Sequence, residues 1–100
     1  MNAISNFKEP IRVLCMRHRV KSLYAFGSVL TPQFNFTSDV DLIVEFNSMR
    51  VEFYADNYFA LKDALQNLFK RPVDLLENQA LRNPLFIQEL QNQKVLIYGH

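Results

Sequence analysis

Residues 24–46 read YAFGSVLTPQFNFTSDVDLIVEF, and the reading of their last eight residues decides the fold. Val40 to Phe46 is rich in β-branched and large apolar residues and predicts a strand, yet Asp39 and Asp41 are set into its start. Side chains alternate across a strand, so Asp39, Asp41 and Ile43 share one face and Val40, Leu42, Val44 and Phe46 share the other. The second set is the core face. The two aspartates stand on the opposite face with their α-carbons roughly 6 to 7 Å apart. Two carboxylates so placed repel each other unless a positive charge sits between them. A divalent cation meets that need, and a site of oxygen ligands open to water suits magnesium better than zinc.

Working outward, Lys21–Phe26 reads as an earlier strand ended by Gly27, one of only two glycines in the chain. A glycine there lets the backbone approach a phosphate closely, and Ser28 adds a hydroxyl and an N–H. Residues 29 to 38 form a loop. Phe34 and Phe36 lie in it without a periodic reason to be apolar, and either pack on the domain or border a nucleotide or a partner. Upstream, Ile4, Phe7, Ile11, Leu14 and His18 fall at helical spacing and predict a helix over 7 to 19, with Pro10 in its first turn. Downstream, Tyr54, Tyr58, Leu61, Leu65 and Leu68 predict an amphipathic helix over 53 to 70.

Pro72–Glu77, PVDLLE, then reads as a short strand opening on proline, and Asp74 points away from the core between Val73 and Leu75. If this strand neighbours Val40–Phe46, Asp74 becomes the third carboxylate, and two magnesium ions about 4 Å apart can organise a phosphoryl or nucleotidyl displacement. Asn83–Pro84 is a helix start, and Lys94–Tyr98 is either a last strand or a segment packed on the core.

Composition sets the bounds. One hundred residues, 49% of them apolar, make one domain, residues 1–100, with a real core. The net charge of +1 provides no basic field for nucleic acid. Cys15 is the single cysteine, which excludes an internal disulfide and a cysteine-rich zinc site and reads as a small core residue. No secretory signal and no membrane-spanning run is visible, so the cytoplasm is the expected compartment and no membrane partner is expected.

Taken jointly, Gly27-Ser28, ten intervening residues, Asp39-Val40-Asp41, and Asp74 after the long helix resemble the signature of the polymerase β-like nucleotidyltransferases. The short chain is similar to the minimal nucleotidyltransferase branch. The resemblance implies an α+β fold, a small mixed sheet flanked by helices. It further implies that Asp39 and Asp41 bind magnesium, that Asp74 completes the site and serves as base, and that Gly27 and Ser28 hold the triphosphate of ATP. Members of that branch act as antitoxins to HEPN-type ribonuclease toxins, some by transferring AMP to a toxin tyrosine, and that is the expected activity and partner. One departure is evident: Val29-Leu30-Thr31 follows Gly-Ser where many relatives carry an arginine. Arg71, close to Asp74 in sequence, is a candidate phosphate contact. Two other readings remain open. One is an antitoxin that only masks its partner. The other is a small-molecule, aminoglycoside-type transferase, which in so short a chain would need a homo-oligomer to complete the acceptor site.

Overall fold

The computed structural model describes residues 7–26, 39–78, 83–85, 87–88 and 94–99. The elements run α1 (Lys8–Arg17), β1 (Val20–Phe26), β2 (Val40–Phe46), α2 (Val51–Phe69), β3 (Val73–Glu77) and β4 (Val95–Gly99). Four strands form one sheet in the order β3-β2-β1-β4. β1 is antiparallel to both β2 and β4, whereas β2 and β3 are parallel. A parallel pair needs a crossover, and α2 is that crossover. The result is the expected α+β arrangement around a mixed sheet.

Alternation along the strands makes the core. Leu23, Ala25, Val40, Leu42, Val44, Val73 and Leu75 project from the inner face onto Ile11 and Cys15 of α1 and Leu61, Leu65 and Phe69 of α2. The buried positions of α2 fall at i, i+4 and i+8, one stripe of a helix, so a single face of α2 is committed to the sheet. Phe7 packs edge-on against Phe69 with ring centroids 5.0 Å apart, joining the start of α1 to the end of α2. Asn57 Nδ2 donates to the His18 carbonyl at 2.7 Å, fixing the other end of α1 against α2. Pro10 sits in the first turn of α1, where an N–H has no helical acceptor. α2 ends at Lys70 in the left-handed region with φ 58°, a non-glycine residue at a position glycine usually takes.

The outer face of the sheet is not simply wet. Ile43, on the same face as the acids, is only 1% exposed. Glu45, expected as a free surface residue, is half-buried; the Ser22 hydroxyl donates to it at 3.5 Å and Lys21 Nζ lies 3.9 Å away. Residue Lys94 leads directly into β4, so the segment KVLIY is a strand over most of its length. The Asn83 side chain accepts from the Leu85 N–H at 3.0 Å, the cap expected of Asn-Pro. No helix among the described residues is long and apolar enough to cross a membrane.

Candidate active site

Two neighbouring strands, β2 and β3, deliver the acids to one edge of the outer face. The parallel register places Asp41 directly opposite Asp74, with Val40 opposite Val73 and Leu42 opposite Leu75. Since paired residues share a face, the two carboxylates stand side by side on the outer face one interstrand spacing apart, about 4.8 Å at the backbone. The Val40 N–H donates to the Pro72 carbonyl at 3.0 Å, which fixes this register at the point where both strands begin. Pro72 itself, lacking an N–H, needs no acceptor there.

The third acid, Asp39, immediately precedes β2 and is exposed, as is Asp74. Asp41 is the half-buried member of the set. Its carboxyl is held above the usual carboxylate range, first by burial and then by the negative charges of Asp74 and Asp39. Asp41 therefore feels the charge of both neighbouring acids. As they stand, no group of three His, Cys, Asp or Glu side chains among the described residues closes into a metal-holding cluster. The donor chemistry nevertheless fits a hard divalent ion: the oxygens are all carboxylate, they are open to water, and the repulsion on Asp41 is what a bound cation relieves.

Strand β3 is an edge strand, and α2 holds it in place. Tyr58 donates its hydroxyl proton to the carbonyl of Leu75, next to Asp74. Gln66 Oε1 accepts from the Val73 N–H at 3.2 Å, on the other side of Asp74. The Tyr58 hydroxyl is pushed above its usual pKa by burial and then by the charge of Asp74, so it stays protonated and keeps donating. Neither of these supports was evident from periodicity, which marks Tyr58 only as one more apolar position of the helix.

On the β1 side, Phe26 is opposite Asp41, and Tyr24 is opposite Ile43. Gly27 and Ser28, the expected phosphate-holding pair, follow Phe26 in the chain and lie outside the described residues, as do Phe34 and Phe36. Arg71 donates from Nε to the Phe69 carbonyl at 3.4 Å, at the end of α2.

Two hollows lie elsewhere. One, of about 260 Å³, is lined by Phe46, Asn47, Tyr54 and Glu77 at the opposite end of β2. The other, of about 450 Å³, runs between Arg12 of α1 and Leu96–Gly99 of β4. Neither is lined by Asp39, Asp41 or Asp74, which stand on the open sheet face.

Comparison with known proteins agrees with the fold. The profile of the nucleotidyltransferase domain family matches residues 8–97. A Methanocaldococcus jannaschii protein named as a candidate protein adenylyltransferase is 30% identical over 97% of this chain and 100% of its own length. A second such protein of that organism is 26% identical over the same shares. Among solved structures, a candidate minimal nucleotidyltransferase superposes with a TM-score of 0.76 at 27% identity, covering 95% of each chain. The tri-AMPylated Shewanella oneidensis HEPN toxin in complex with its MNT antitoxin gives a TM-score of 0.66 at 18% identity, covering 96% of this chain and 72% of that one. At that identity the likeness shows a shared fold.

Proposed function

The chain belongs to the nucleotidyltransferase domain family, and from that premise we propose that it transfers AMP from ATP to a protein hydroxyl in a magnesium-dependent reaction. The observation that carries the reading is the pairing of Asp41 with Asp74 across two parallel strands, with Asp39 beside them. Asp39, Asp41 and Asp74 would hold the metal, which when bound supplies positive charge to the phosphoryl oxygens. Asp74, exposed on β3, accepts the proton of the attacking hydroxyl. That hydroxyl oxygen bonds to the α-phosphorus, and the bond from the α-phosphorus to the bridging oxygen breaks. Pyrophosphate leaves with the electron pair. Gly27 and Ser28 hold the triphosphate in this scheme.

An acid site on open sheet surface can admit a side chain presented by another folded protein. The acceptor we propose is a tyrosine of a HEPN-type toxin, with the chain as its antitoxin; support comes from the relatives named for protein adenylylation and the fold shared with an MNT antitoxin. ATP labelled at the α-phosphate, incubated with magnesium and the protein in lysate of its own host, is the test. The proposal expects a labelled protein band that disappears with Asp41→Asn. Absence of Asp41-dependent label, with a toxin still captured and neutralised, would replace it with a masking antitoxin.

A further inference from the structure

The outer face holds a cation that the acid site does not itself account for. Ala25 is opposite Val95 in the β1–β4 pair, so Lys94, one residue earlier, comes level with Phe26. Phe26 is opposite Asp41, and Asp41 is opposite Asp74. One row across the sheet therefore reads Lys94, Phe26, Asp41, Asp74, with the backbone of Lys94 two interstrand spacings, roughly 10 Å, from that of Asp41.

The ammonium is also positioned. Lys94 Nζ stands 4.2 Å from the centroid of the Tyr24 ring, a cation–π contact that keeps the side chain on the outer face. Lys94 is half-buried, and among the described residues it forms no ion pair. By contrast, Arg12, Lys21 and Arg50 are each matched with a carboxylate, namely Glu9, Glu45 and Glu52. A ring contact orients a lysine without neutralising it, so the charge stays available to an anion.

We infer that Lys94 binds the β- and γ-phosphates of the nucleotide, with Tyr24 as the residue that positions it. The inference rests on the nucleotidyltransferase reading and adds an anchor for the end of the substrate that departs. A polyphosphate laid over Phe26 and slanting toward Tyr24 would have its reacting phosphorus at the carboxylates and its tail at the ammonium. As the bond from the α-phosphorus to the bridging oxygen breaks, the electron pair stays on pyrophosphate. A fixed positive charge at that end favours the developing anion, so Lys94 acts in binding and in departure of the leaving group.

Equilibrium binding of ATP, AMP and adenosine, each with and without magnesium, tests this on the purified chain. Lys94→Met keeps the apolar stem on Tyr24 and removes the charge; Lys94→Arg keeps the charge. Lys94→Met is expected to weaken ATP about tenfold or more, to leave AMP and adenosine within about twofold, and to keep the wild-type Tm, while Lys94→Arg restores ATP binding. Unchanged ATP affinity in Lys94→Met, beside an Asp41→Asn variant that loses the magnesium-dependent part of ATP binding, would overturn the inference and leave the proposed function standing. A raised KM for the protein acceptor with ATP affinity intact would overturn it too, by moving Lys94 to the acceptor. No ATP binding by the wild type would remove both.

Discussion

Asp41→Asn is expected to make the metal-free protein more stable while abolishing its chemistry. Asp41 faces Asp74 directly across a strand pair, and like charges in that position cost about 0.2–1 kcal/mol. The low figure is the right scale because Asp39 and Asp74 are exposed and water screens them. For a domain of this size, 1 kcal/mol moves Tm by about 4–8 °C, so the substitution should raise Tm by about 1–2 °C at neutral pH. The sign follows from the raised pKa of Asp41. Below its ordinary 3.8 the carboxyl is protonated in both folded and unfolded chains and costs nothing. As pH rises through the higher folded value, ionisation is harder in the folded state, and stability is lost. The gain from Asn should therefore be full at pH 7 and vanish below about pH 4. Asp74→Asn should give part of the same gain, and the double substitution less than the sum, since each removes one shared repulsion. Saturating magnesium should reverse the order by stabilising the wild type alone, by about 2.7 kcal/mol at a hundred times Kd. Thermal melts across pH, with and without magnesium, read all of this. A lower Tm for Asp41→Asn at pH 7, or a gain that persists at pH 3, would refute the electrostatic account of the acid face.

Other outcomes follow from the packing. Leu61→Ala opens a cavity under a side chain with 0% exposure at the centre of α2 and should cost about 2–5 kcal/mol in urea unfolding; a loss under 1 kcal/mol would mean the core can collapse around it. Tyr58→Phe removes the proton donated to the Leu75 carbonyl and should cost about 1 kcal/mol, with faster amide exchange confined to Val73–Glu77. Equal exchange there would show that β3 does not depend on α2 for its place. The Cys15 thiol, buried with its pKa pushed up to about 12, should resist thiol reagents at pH 8 until denaturant is added. Rapid labelling of the native protein would contradict its place between α1 and the sheet.

Much of this was legible in the sequence because period alone fixes faces. Val40–Phe46 is the strand the alternation predicts, although Asp39, expected on its outer face, immediately precedes it. Spacing in α2 identified Leu61 and Leu65 as core and gave ends within two residues of those observed, Val51 and Phe69. The position of Asp74 beside Asp41 depended on β3 pairing with β2, which a strand–helix–strand order favours but does not dictate. Parity also says which side a residue faces without saying what covers it, so Ile43 looked like a neighbour of wet carboxylates and is in fact buried. Two irregular steps were hidden for a related reason. The register shifts between Val20 and Ser22 against β2 and between Leu23 and Tyr24 against β4, and an inserted residue leaves no mark on composition. The row that ends at Lys94 depends on that second shift. Lys94 therefore could not be aligned with Asp41 by counting along the chain.

Diffraction from crystals grown with manganese and a non-hydrolysable ATP analogue, collected at the manganese edge, would test the central claim most directly. The account predicts an anomalous peak bridging the carboxylates of Asp39, Asp41 and Asp74 and the nucleotide phosphates, at oxygen distances of about 2.0–2.2 Å. A nucleotide bound elsewhere on the domain, with no peak at those three acids, would contradict it.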